Sequence, residues 1–129
     1  MRIFADSSVL LAAAGSTSGS SHAIFNLAPA QGWEIIASSY VVGETERNLH
    51  KLSLQAVNRW ALLRPQLTIV DDVVTLDRPT LVTAGKDRPV LFTALAHAEV
   101  LLTLDRLDFE TVLGSTFYGL PVLLPKTAP

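Results

Sequence analysis

A helix that runs directly into a wholly apolar strand leaves few architectures open, and residues 86–105, KDRPVLFTALAHAEVLLTLD, encode that pair. Asp87 is placed to cap the helix, Pro89 suits its first turn, and Val90, Leu91, Ala94, Leu95 and Ala98 recur at helical spacing. About 10 helical residues descend ~15 Å, and the apolar run Val100 to Leu104 climbs back ~17–20 Å, so Asp87 and Asp105 finish near one edge. Folding does not require two acids there, because like charges a few Å apart repel by ~1 kcal/mol or more even near a surface. A shared cation would account for them. So would two independent local roles, a helix cap at Asp87 and a turn residue at Asp105, and the residue types alone leave both readings open.

The same alternation runs through the rest of the chain. Ile3, Phe4 and Ala5 form a short strand ending at Asp6, and Ser7 and Ser8 lead into the helix-prone run Val9 to Ala14, which Gly15 stops. GSTSGS at 15–20 has the composition of a mobile loop. Ser20 or Ser21 then caps a helix carrying Ala23, Ile24, Leu27 and Ala28, ended by Pro29 and Gly32, before a strand from Trp33 to Ala37. Ser38 and Ser39 offer caps for a helix reaching about Lys51, with Val42, Thr45, Leu49 and Leu52 as its apolar stripe and Glu44 off it. Gly43 costs that helix ~1 kcal/mol relative to alanine, which points either to a close approach by a ligand or another backbone or to ordinary sequence drift. A helix at about Leu54 to Leu63, a strand at Leu67 to Val70, short helices at 78–84 and 107–113, and a strand at Pro121 to Leu124 complete the expected elements.

Strands alternating with helices, most of them apolar on both faces, predict an α/β fold with a parallel sheet covered on each side. Ligands in such sheets bind beyond the carboxyl ends of the strands, where the strand order reverses. Asp6 and Asp105 are both strand-end acids, so neighbouring strands would bring them together there. A length of 129 residues predicts one domain over 1–129. No apolar run approaches the ~18 residues of a membrane span, and no signal-peptide pattern follows Met1, so a cytoplasmic protein is expected. The absence of cysteine removes thiolate ligands and thiol catalysis, which leaves oxygen or imidazole for any metal. A net charge of −2 and a pI near 5.8 give no overall basic field, so a nucleic acid would be held by a local patch or through a metal. The 49% hydrophobic content is high for so small a domain and predicts a homodimer.

Four acids, Asp6, Glu44, Asp87 and Asp105, at a strand end, on a helix face and at a helix start, suit a magnesium site built on oxygen. In these residues the chain resembles the PIN domain nucleases, and among them the VapC-like toxins of bacterial toxin–antitoxin pairs. The resemblance rests on the apolar-Asp-Ser-Ser-Val-Leu start (Ile3 to Leu10), Val-Val-Gly-Glu at 41–44, Lys-Asp-Arg-Pro-Val-Leu at 86–91, and Leu-Leu-Thr-Leu-Asp at 101–105 with Phe109 after it. It implies a three-layer α/β/α sandwich with a five-stranded parallel sheet in order 3-2-1-4-5. It also implies Mg²⁺ or Mn²⁺ dependence, and hydrolysis of single-stranded RNA leaving a 5′-phosphate and a 3′-hydroxyl. The catalytic and metal-binding acids would then be Asp6, Glu44, Asp87 and Asp105, with Ser7 and Thr103 as polar helpers, and an antitoxin protein would be a partner. Glu46 competes with Glu44 but projects ~200° away on a helix, so only one can face the site, and Glu44 is the choice. Asp108 is a further acid, more simply a cap for the helix after it.

Arg47, Lys51, Lys86, Arg88 and Arg106 are the cations nearest these acids in sequence, either RNA contacts or counter-charges. Asp71-Asp72 resembles the acidic pair of a receiver domain but stands after the third strand with 57 residues to follow, too late for that fold. A phosphatase with Asp6 as nucleophile would want an acid at position 8, where Ser8 stands. A PIN fold that only binds RNA or protein is the other alternative, and the presence of all four acids counts against it. His22, His50 and His97 have no metal-ligand spacing, and Trp33 and Trp60 sit in apolar contexts that favour the core.

Overall fold

The computed structural model describes residues 1–72, 87–104, 116–117 and 120–127, with 87–89, 116–117 and 127 described by backbone alone. The strands are β1 (Arg2–Ala5), β2 (Glu34–Ser38), β3 (Leu67–Val70), β4 (Val100–Leu102), β5 (Thr116–Phe117) and β6 (Leu120–Leu123). They hydrogen-bond in the order β3-β2-β1-β4-β6-β5. The first five positions are all parallel, and β5 is a short antiparallel addition on β6. The expected parallel order 3-2-1-4-5 is therefore present, with β6 as its fifth strand. The antiparallel β5 was not foreseen in the sequence.

Between the strands lie α1 (Ser7–Gly15), α2 (Ser20–Gln31), α3 (Ser39–Asn48), α4 (Leu54–Leu63) and α5 (Asp87–His97). From β1 the chain steps outward through β2 to β3, then returns to the other side of β1 at β4. Right-handed crossovers therefore put α1 to α4 on one face and α5 on the other. Consistently, α1 packs on α2, α3 and α4, while α5 packs on β1, β2 and β4. Ile3, Phe4, Leu10, Ile36, Leu91, Leu101 and Leu102 are wholly enclosed between these layers.

Capping fixes where several helices start. Asp6 accepts the Ser7 N–H at 2.8 Å, Ser38 accepts the Val41 N–H at 3.2 Å, and Ser53 accepts the Ala56 N–H at 3.1 Å. Other local expectations are corrected. Gly19, not Ser20 or Ser21, caps α2, and it offers no side-chain bond. Pro29 does not end α2, which continues to Gln31 and stops at Gly32, whose φ of 70° is left-handed. Its N–H and that of Trp33 close on the last carbonyls, Trp33 to Ala28 at 2.9 Å, a C-cap that a glycine makes cheaply. Leu52 leaves the apolar stripe of α3 at 48% exposure, because a 3₁₀ turn at Leu49–Lys51 breaks the α-helical phase before it. The helices expected at 78–84 and 107–113 lie outside the described residues.

Candidate active site

The strand order reverses between β1 and β4, and Asp6 sits at the carboxyl end of β1 where that happens. Its own amide bonds the Leu102 carbonyl at 3.1 Å, which extends the β1–β4 ladder by one residue and fixes the height of its side chain. Asp6 is only 5% exposed. One carboxylate oxygen, Oδ1, accepts the Ser7 amide at 2.8 Å; the other, Oδ2, accepts the Thr103 hydroxyl at 2.8 Å and the Ser8 hydroxyl at 3.1 Å. Ser7 then links two acids: its amide bonds Asp6, and its hydroxyl donates to Glu44 Oε1. The Tyr40 hydroxyl approaches the other Glu44 oxygen at 3.4 Å. The start of α1, the middle of α3 and the exit of β4 thus converge on one pair of carboxylates.

Burial pushes the Asp6 carboxyl above the usual carboxylate range, since its charged form loses water. The bonds from Thr103, Ser7 and Ser8 oppose that rise without cancelling it, and the neighbouring Glu44 charge adds to it. Among the described residues the one ion pair is Arg64 with Glu46 at 3.2 Å, so no described cationic side chain neutralises Asp6 or Glu44. The donors around the pair are all oxygen: two carboxylates and the hydroxyls of Ser7, Ser8, Thr103 and Tyr40. A buried carboxylate beside a half-buried one, under-compensated and surrounded by hard oxygen donors, suits Mg²⁺ or Mn²⁺. Among the described residues no group of three or more His, Asp or Glu side chains gathers at one point. Asp87 heads α5 as its first residue, its side chain lying outside the description, and Asp105 lies outside it altogether, as do Lys86, Arg106 and the side chain of Arg88.

Glu46 turns the other way from Glu44, as helical geometry requires. Its Oε2 accepts the Trp60 indole N–H at 3.0 Å and pairs with Arg64, which fastens α3 to α4. Trp60 is accordingly a core residue, 5% exposed, and Trp33 packs partly buried against the core. Asp72 accepts the Tyr40 amide at 3.0 Å, so this acid steadies the first turn of α3. Ser8 and Tyr40 are the site residues that sequence reasoning passed over. The only signal for Ser8 was its place in the Asp-Ser-Ser motif.

Among the described residues no other backbone closes on Gly43. A Cβ there would meet one atom within 4 Å, the Arg47 Nη1 at 3.4 Å, the far end of a flexible side chain on its own helix. Gly43→Ala should therefore raise the unfolding free energy by roughly 0.5–1 kcal/mol, the helix propensity difference, which thermal melts of the two proteins test.

No family model matches the chain, and no curated protein matches it in sequence. Among solved structures, the fold is similar to a chain of VapBC2 from Rickettsia felis, a complex solved bound to a DNA fragment from its promoter. The TM-score is 0.69 at 18% identity, over 95% of this chain and 97% of that one. At that identity the likeness is one of fold, and it agrees with the parallel strand order described above. Among the described residues no helix is long and apolar enough to cross a membrane.

Proposed function

We propose that this chain is a metal-dependent endoribonuclease of PIN type, a single domain that cleaves single-stranded RNA as the cytoplasmic toxin of a toxin–antitoxin pair. The observation that carries this reading is the buried Asp6 carboxylate beside the half-buried Glu44, linked by Ser7 and lacking a described counter-cation, at the switch point of a VapBC2-like sheet. Asp6 and Glu44 would hold Mg²⁺ or Mn²⁺ through oxygen, with Asp87 and Asp105 joining them as the motifs imply. The bound ion supplies an activated water and offsets charge on the leaving oxygen. The protein groups do the positioning. Ser7 N–H and Thr103 fix the Asp6 carboxylate, and Ser7 and Tyr40 orient Glu44. Arg47 and Lys51 are exposed along and just after α3 and would meet RNA phosphates, with Lys86, Arg88 and Arg106 as further candidates from sequence.

Incubating a labelled single-stranded RNA with the protein tests the reading directly. Cleavage is expected with Mg²⁺ or Mn²⁺ and none with chelator. Cutting that survives chelator, or no cutting under any of the three conditions across varied RNA sequences, overturns it.

An antitoxin partner follows from the same reading, and so does self-association. The outer face of α4 exposes Leu54 at 76%, Leu62 at 72% and Val57 at 41%, with Leu52 just before it. Apolar side chains grouped in this way favour association. Sedimentation should show a homodimer at micromolar concentration, and Leu54→Glu with Leu62→Glu should shift it toward monomer if this face is the contact. A wild-type protein that stays monomeric rules out the dimer.

A further inference from the structure

Ser8 has a double attachment that the proposed reading does not use. Its hydroxyl donates to Asp6 Oδ2 at 3.1 Å and accepts the Leu104 amide at 3.0 Å. β4 ends at Leu102, and the Thr103 amide reaches the Leu123 carbonyl on β6 at 3.0 Å. The next amide, that of Leu104, leaves the ladder and turns to Ser8, 96 residues away in sequence. Thr103, between these two anchored amides, sends its own hydroxyl to the same Asp6 oxygen. Ser8 also lies 3.4 Å from the Thr103 hydroxyl. The first turn of α1, the exit of β4 and the Asp6 carboxylate are thus held in one small network.

From this geometry we infer that Ser8 is a positioning residue for the Asp6 carboxylate, resting on the metal-dependent reading of the site. Ser8 limits Asp6 to one orientation and registers that orientation against the β1–β4 seam through Leu104. It touches neither the ion nor the substrate in this role. Removing its hydroxyl leaves Asp6 two hydrogen bonds, from Ser7 and Thr103, and releases the Leu104 amide to water. A carboxylate with a looser outer shell binds a metal ion less tightly, typically by 10–100-fold.

Threonine and valine at position 8 have nearly the same shape and differ in the hydroxyl, so they separate the bond from the packing. Four proteins, wild type, Ser8→Thr, Ser8→Val and Ser8→Ala, are compared by Mn²⁺ titration, by melting and by metal-free hydrogen exchange at the Leu104 amide. The valine and alanine variants should bind Mn²⁺ at least about tenfold more weakly and exchange Leu104 faster, while the threonine variant follows wild type in both. A residue that only stabilises the fold would lower the melting temperature without moving the Mn²⁺ affinity, and that result overturns the inference. Equal Leu104 exchange in all four proteins overturns it as well, independently of metal. Should the wild type itself bind no Mn²⁺, the metal reading fails in that control and takes this role of Ser8 with it.

Discussion

Asp6→Asn and Glu44→Gln should each lower kcat/KM for RNA cleavage by at least about a hundredfold, or about 2.7 kcal/mol of transition-state stabilisation. Both changes keep the shape of the side chain and remove its negative charge. Each therefore takes one of two carboxylate ligands from a site whose remaining described donors are the other carboxylate and neutral hydroxyls. The double variant should fall little below the worse single one, because two ligands of one ion act as a unit and their losses do not multiply. Glu46→Gln serves as the control: two positions along α3 from Glu44, it faces Trp60 and Arg64 and should retain cleavage. Initial rates on one RNA with Mn²⁺ in excess measure all four. Near-normal activity of Asp6→Asn would remove Asp6 from the chemistry, and loss of activity in Glu46→Gln would show that the choice between the two glutamates was made wrongly.

What could be read in the sequence and what could not divide along a physical line. That only one of Glu44 and Glu46 can face the site followed from ~100° per residue, a local rule that holds wherever a helix forms, while the choice of Glu44 rested on the motif at 41–44. Asp6 at the end of an apolar strand was legible for a similar reason, and β3 was placed at Leu67–Val70 by its flanking breakers. Boundaries set by competition were less legible: Pro29 removes one N–H from the last turn of α2 without ending it, and the left-handed Gly32 supplies the stop. Least legible were the contacts that depend on which strands are neighbours. Ser8 meets Leu104 only because β1 lies beside β4, and Asp72 meets the Tyr40 amide only because β2 lies beside β3. A serine two residues after an acid carries no mark of a bond formed 96 positions away.

The stability of Asp6→Asn separates a metal site from a structural acid. Burial, reinforced by Glu44, raises the folded-state pKa of Asp6 above the ordinary Asp value. The sign follows by linkage. A carboxyl whose pKa rises on folding favours the folded state fully at pH below its unfolded pKa, and that contribution is lost as pH climbs through the raised folded value. Above the ordinary Asp range the carboxyl of Asp6 therefore works against the fold, so at neutral pH metal-free Asp6→Asn should melt higher than metal-free wild type. The advantage should shrink as pH is lowered through the folded pKa and disappear below about 3.9, the ordinary value for Asp. Mn²⁺ adds the opposite effect. An ion that binds only the folded state stabilises it by RT ln(1 + [L]/Kd), ~2.7 kcal/mol at a hundred times Kd, or about 10 °C for a domain of this size. Wild type should gain that increment and the variant far less, so the order of the two melting temperatures narrows or reverses on adding Mn²⁺. Melting curves of both proteins, with chelator and with Mn²⁺, at neutral and acidic pH, decide it. Should Asp6→Asn melt lower without metal, and both proteins respond alike to Mn²⁺, then Asp6 serves as the cap of α1 and the clasp of Thr103 and Ser8, and the ion binds elsewhere or not at all.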